Sequence, residues 1–331
     1  MSPPLPRVIL YNYPESPFGL KVRLVLALRK IPYSSVKVAR VPPRPELSDL
    51  LGVTYRRIPI AAIDSDIFCD THGICDALEE KFKEEDGYPS LVKELGEIQR
   101  QAARWWAEKP IFQLSSAQIP WGSMPAAFLE DRSSFTGNKI DPSKMEFMKP
   151  GIVSAHLAHI RVVENQLARH PSAFILNTAA PTYLDIALFF TLDWISRLPA
   201  SEELFGPLKQ SYPNTVAWIG RVRAATEKAL KEAPKVEKLD GAQAAKHILA
   251  ASLTHRFKVG VTGADPMVVA GWLAQGSMVT VTPDDTGKVP QRGKLVGLTD
   301  SRISLEVEVP NSQGKTVRVH FPRLGYVVKP E

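Results

Sequence analysis

The chain is poor in cysteine: Cys69 and Cys75 are the only two in 331 residues. Six positions apart in one segment, they make a poor structural disulfide and match no metal-ligand spacing. A reducing, cytoplasmic setting fits that scarcity. No run approaches the roughly 18 apolar residues of a membrane span, so no membrane partner is expected. Met1–Arg7 lacks the basic stretch and following apolar stretch of a secretory signal. Charge of one sign is not dominant either. Forty-one Lys and Arg stand against 35 Asp and Glu, a net +6. No Lys/Arg-rich run with interleaved aromatics points to nucleic acid. Internal repeats and low-complexity tracts are missing. His156 and His159 share a helix face, but no third ligand stands at suitable spacing. A packed or solvated face is expected there, and no metal.

What is present is a 44% hydrophobic chain, enough for a large core and more than one domain. Val8–Tyr11 reads as a buried strand. Leu20, Leu24, Val25 and Leu28 recur at helical spacing and predict a helix over Pro17–Lys30. Ser35–Ala39 alternates like a strand, a short helix is expected near Glu46–Leu51, and Arg57–Ile63 reads as a strand with proline at its start. Asp64–Asp66 is a turn and Ile67–Cys69 pairs back as a hairpin. Asp70-Thr71 opens a helix. The order β-α-β-(α)-β-β-α is the layout of a thioredoxin-like domain. Residues 87–240 read as all-helical: Leu91–Ala107, Ser143–Arg169, Thr182–Arg197 and Asn214–Glu232, with a less regular Pro110–Pro142. Thr182 and Asp185 form a capping-box variant before an unusually apolar helix. Residues 233–240 read as a linker and Ala242–Ser252 as a short helix. Five short alternating strands follow between Met278 and Val328, suggesting a small β-barrel or curled sheet. The expected domains are 1–86, thioredoxin-like; 88–235, an all-helical bundle; and 241–331, a β-rich extension.

Ser16 stands immediately before Pro17, and proline suits the first position of a helix. Ser16 therefore reads as an N-cap. Its hydroxyl, the free amides and the helix dipole suit an anion such as a thiolate, phosphate or carboxylate. On this stretch alone, an ordinary capped helix after an ordinary strand is the simpler reading.

The two-domain arrangement over residues 7–232 resembles the soluble glutathione transferases. Ser16-Pro-Phe-Gly-Leu-Lys-Val-Arg-Leu is similar to a segment of the serine-type tau class, in which the serine is catalytic. Arg57-Ile-Pro-Ile is similar to the family's Lys-Ile-Pro-Val, with Pro59 at its cis-proline. Asp70-Thr71 stands where the family has Glu-Ser or Asp-Ser, and Tyr212–Trp218 is similar to its Phe-Pro-x-x-x-x-Trp run. Residues 240–331 have no counterpart in the ordinary family, and the combination looks more like divergent fungal glutathione-transferase-like proteins.

The resemblance implies glutathione as co-substrate, without a metal. Ser16 would activate its thiol, with Tyr11 and Tyr13 as rivals. Ile58 would pair its backbone with the cysteinyl unit, Pro59 would fix that geometry, and Asp70 and Thr71 would hold the γ-glutamyl end. For Asp70, plain helix capping is the alternative. Arg57, and less directly Arg40 or Arg44, would meet the glycine carboxylate. A small hydrophobic electrophile would lie near Phe18, Trp105, Trp106 and Phe112. The implied activity is conjugation, or transient addition for isomerisation or elimination in small-molecule secondary metabolism, by a cytoplasmic homodimer. The second reading is a transferase-like scaffold without activity that uses its β-rich tail for interactions. A disulfide oxidoreductase is disfavoured, because Ser16 and Gly19 stand where a Cys-x-x-Cys would be.

Overall fold

A computed structural model describes residues 5–199, 201–251 and 256–331. Its backbone is a single ten-stranded sheet carrying helices on both faces. The first part follows the expected order: β1 (Val8–Asn12), α1 (Pro17–Leu28), β2 (Ser34–Lys37), α2 (Pro45–Leu51), β3 (Ile60–Ile63), β4 (Asp66–Cys69) and α3 (Thr71–Lys81). β1 runs parallel to β2 and antiparallel to β3, and β3 pairs antiparallel with β4.

Strand residues alternate between faces. Val8 and Leu10 therefore pack toward α1 and α3, while Ile9 and Tyr11 pack toward α2. This is a thioredoxin-like domain, with the Ile58–Pro59 peptide cis.

The helical part begins with α4 (Glu97–Gln101). It widens into a π-helical stretch, Ala102–Ile111, and tightens again as α5 (Phe112–Ala117). Pro110 lies inside the wide stretch. A proline cannot supply the α-helical N–H there, and a widened turn accommodates it. The irregular segment expected after Pro110 is largely helical instead: it includes α5 and α6 (Ala126–Thr136). Then come α7 (Pro142–Leu167), α8 (Tyr183–Ile195), α9 (Glu202–Ser211) and α10 (Pro213–Glu232). Asp185 accepts from the Thr182 N–H at 2.9 Å and from the Trp218 indole at 2.8 Å. It thus caps α8 and ties it to α10. Every residue of α8 except Trp194 is buried, as its composition predicts. Among the described residues, no helix is long and apolar enough to cross a membrane.

The segment after α10 is not a free linker. Glu237–Leu239 forms β5, parallel to β2. The helix expected at Ala242–Ser252 is seen as α11 (Gly241–Ala250); Ser252 lies outside the described residues. A single turn, α12 (Pro266–Val269), precedes β6 (Met278–Pro283), β7 (Gln291–Leu298), β8 (Arg302–Glu308), β9 (Thr316–Pro322) and β10 (Tyr326–Pro330). These are the five expected strands. Their join to the first domain is what periodicity does not show: β9 pairs parallel with β4, so the sheet order is β10-β6-β7-β8-β9-β4-β3-β1-β2-β5. The tail adds its apolar face to the α2 side of the same core. Gly52 marks the close approach. It has a φ of 70°, and a Cβ there would stand 2.4 Å from the Glu308 carbonyl oxygen.

Candidate active site

Tyr11, Ile60 and Cys69 lie side by side in one row across β1, β3 and β4. β1 and β4 both run antiparallel to β3, so both end where β3 begins. One edge of the sheet therefore gathers three segments: Asn12–Ser16 after β1, Arg57-Ile58-Pro59 before β3, and Asp70-Thr71 after β4. β1 and β4, which lead into α1 and α3, lie two strand spacings or about 10 Å apart. An extended tripeptide spans about the same length.

Ser16 caps α1 as expected. Its Oγ accepts from the Gly19 N–H at 3.0 Å, and Gly19 carries no Cβ to crowd it. That is its only side-chain hydrogen bond among the described residues, which leaves the hydroxyl proton for another acceptor. Asp70 is held at a φ of 78°, and its Oδ1 accepts from the His72 N–H at 2.9 Å, capping α3. Its Oδ2 accepts from the Tyr326 hydroxyl of the tail at 3.1 Å. Burial, with Asp70 next in effect, pushes the Tyr326 pKa well up, so Tyr326 remains a donor.

Thr71 leads into a buried network that the sequence reading missed. Glu108, from the π-helical stretch, pairs with Lys21 of α1 and accepts from the Thr71 hydroxyl at 3.2 Å. His72 Nε2 lies 3.3 Å from the same carboxylate. Lys21 is fully buried and also donates to the Tyr183 hydroxyl at 2.6 Å. Burial raises the Glu108 pKa, but His72 and Lys21 outweigh it and hold the acid well below the usual carboxylate range. The sequence signals were a lysine, Lys21, in a mostly apolar helix and an acid beside Lys109. Neither names its partner.

Arg57 is already engaged. Its guanidinium pairs with Asp285 and donates to the Thr286 carbonyl, on the loop between β6 and β7. Lys109 stands 3.6 Å from both Asp284 and Asp285. The loop thus clasps the first domain and the helical domain together. Arg44 spends its donors on the backbone carbonyls of Ala39, Arg40 and Arg56, which removes it from ligand duty. Arg40 is exposed, 3.6 Å from Glu15, with its guanidinium over the Tyr13 ring.

Tyr11 needs correction. It lies on the α2 side, fully buried, and among the described residues its hydroxyl has no hydrogen-bond partner. Burial, with Glu46 next, pushes its pKa far up. The parity of β1 turns it away from the α1 face. Tyr11→Phe is therefore expected to leave thiol ionisation unchanged and stability the same or slightly higher, since a buried unpaired hydroxyl is removed. Thermal melting and a thiolate titration check this. Tyr13 is half-buried in the loop before Ser16.

The expected acceptor wall is partly assembled. Phe18 packs on Phe112 at 4.6 Å and on Phe190 at 5.2 Å between ring centres, and Phe112 stacks on Trp194 at 5.8 Å. Trp105 lies beneath Lys109, 4.3 Å from its ammonium. Trp106 turns away and donates to His159 at 3.0 Å. His156 is buried against Gln118, and burial, then His159, lowers its pKa to about 4. Cys69 and Cys75 are buried free thiols, and burial pushes the Cys75 pKa up to about 12.

These features define a glutathione transferase-like fold in which Ser16 caps α1. The family of glutathione S-transferase N-terminal domains matches residues 10–86, and a domain of unknown function (DUF7962) matches residues 114–231. Residues 10–86 thus match a glutathione S-transferase N-terminal domain family, and the chain has a glutathione S-transferase-like fold. A GST-like protein from Pseudomonas syringae is similar in structure over 98% of this chain and 99% of its own. Its TM-score is 0.68 and its identity 23%, so the whole architecture, tail included, has a precedent. A glutathione S-transferase from Methylobacillus flagellatus, solved with glutathione bound, covers 69% of this chain and 100% of its own, at 19% identity and a TM-score of 0.49. A tau-class glutathione S-transferase from mango covers 69% and 93%, at 16% identity and 0.49. A comparison with curated proteins gives no match.

Proposed function

We propose that this chain binds glutathione along the sheet edge and uses Ser16 to hold it as a thiolate for attack on a small hydrophobic electrophile. The carrying observation is the Tyr11–Ile60–Cys69 row. It sets the strand ends that lead into α1 and α3 about the length of a tripeptide apart, with the segment carrying Ile58 between them. Ser16 would donate to the sulfur while the α1 amides add positive potential. Ile58 would pair with the cysteinyl backbone as a short added strand. Asp70 and Thr71 would take the γ-glutamyl end. The half-buried Phe18–Phe112–Trp194 cluster supports an apolar second substrate. Addition forms a C–S bond, and conjugation or isomerisation then depends on the electrophile.

A second reading, a binding protein, is favoured by one specific observation. Three proposed anchors already hold groups of this chain: Arg57 holds Asp285, Asp70 holds Tyr326 and Thr71 holds Glu108. In the enzyme reading, the glycine carboxylate of glutathione competes with Asp285 for Arg57. Removing residues beyond 238 would strip β9 from β4 and expose a strand edge, so a point variant tests the tail better. Asp285→Asn should tighten glutathione binding about fivefold, in line with the roughly 1 kcal/mol of a partly exposed ion pair. Calorimetry on the wild type and this variant is decisive. No heat from either at millimolar glutathione sinks the reading; equal affinity removes only the competition.

A further inference from the structure

The junction between the first domain and the tail holds a second set of chemical groups. Gly297, Ser304, His320 and Phe68 lie in one row across β7, β8, β9 and β4, so the side chains of Ser304, His320 and Phe68 share the α3 face. Asp66, two residues before Phe68 on β4, shares it too. Ser304 Oγ is 2.8 Å from His320 Nδ1, and His320 Nε2 is 2.7 Å from Asp66 Oδ1. The Phe257 N–H donates to the other Asp66 oxygen at 3.2 Å, which fixes the carboxylate. The Phe68 ring stacks on the imidazole at 4.6 Å and 15°, which fixes the ring.

Burial is the largest influence on His320 and lowers its pKa despite Asp66. A neutral ring donates from Nε2 to Asp66 and accepts the Ser304 proton at Nδ1. Ser304 also lines a cavity of about 280 Å³ with Lys258, Gly260, Gly297 and Arg302. Gly297 holds this space open, since a Cβ there would stand 3.1 Å from Ser304 Oγ. A β-bulge between Leu295 and Gly297 re-aims the chain beside it, a feature that recurs next to active sites.

We propose that Ser304, His320 and Asp66 form a second, hydrolytic site for short-chain esters or thioesters. A buried polar brace between β4, β8 and β9 would need neither the cavity nor the glycine clearance. Ser304 Oγ bonds to the acyl carbon as its proton passes to His320 Nδ1. The C–O or C–S bond then breaks, and the alkoxide or thiolate leaves with that proton. Water, deprotonated by His320, cleaves the acyl-serine, releasing the acid and restoring Ser304. Arg302, whose guanidinium pairs with Glu80 at 2.9 Å in the same lining, and the exposed Lys258 are the cations of this cavity that would face the oxyanion. Asp66 is a positioning residue.

The test is labelling of the full-length protein with a small fluorophosphonate, followed by peptide mass mapping. The expected result is one adduct per chain, on Ser304, lost in Ser304→Ala. The labelling rate should fall at least a hundredfold in His320→Gln. A folded wild type that stays unlabelled at millimolar probe, or is labelled on another serine, overturns the proposal. Because the wild type alone decides this, unfolding of a variant does not blunt the test. Glutathione binding need not accompany labelling, so the first site can fail without this one.

Discussion

Ser16→Ala is expected to raise the pKa of the bound glutathione thiol by roughly two units and to cut kcat/KM about a hundredfold near neutral pH. The figure follows from the thiol itself. A free thiol has a pKa of about 8.5, and two units correspond to roughly 2.7 kcal/mol of thiolate stabilisation. The same substitution removes the α1 cap, which costs about 1 kcal/mol of stability. The two effects separate in the readout. Titration of thiolate absorbance reports the sulfur, and thermal melting reports the cap. Ser16→Thr keeps a hydroxyl and should restore much of both. A melt shift with an unchanged thiolate pKa would leave Ser16 as a cap alone.

Glu108→Ala should be the most damaging change to stability, at about 3–5 kcal/mol. It strands the fully buried ammonium of Lys21 without its carboxylate. Thr71 and His72 lose their shared partner as well. The double variant Lys21→Met with Glu108→Leu should recover most of the loss, because paired apolar replacement removes both desolvation costs. Denaturant unfolding of the single and double variants measures this. An additive double variant would show that the pair is not coupled. The sign with pH is set by the depressed native pKa of Glu108. Its contribution is fully present above the ordinary carboxylate value of 4.5 and is lost as the pH falls toward the much lower native value. Acid unfolding of the wild type should therefore show a loss that the apolar double variant lacks.

Tyr11 and Ser16 show how far a linear reading reaches. Both stood within one motif-bearing stretch, and both were chemically able to meet a thiol. The cap geometry of Ser16 was legible because Ser-Pro at a helix start is a local pattern. The exclusion of Tyr11 depended on which face of β1 packs against α1, a tertiary fact. Trp106 and Arg44 differ from expectation for the same reason. Their chemistry suited a ligand, but His159 and three backbone carbonyls lie within reach in the folded chain.

Hydrophobic period, caps and turn residues are local, so the sequence by itself determined the strand and helix order of the first domain, the Ser16 and Asp70 caps, the buried α8 and the five tail strands. Tertiary structure alone decided what meets across long separations. It joined β9 to β4, placed Glu108 on Lys21, laid Asp285 on Arg57 and brought Ser304, His320 and Asp66 together. Pairing of this kind carries no period along the chain. It emerges only when sheet register and helix packing set which buried polar groups must satisfy one another.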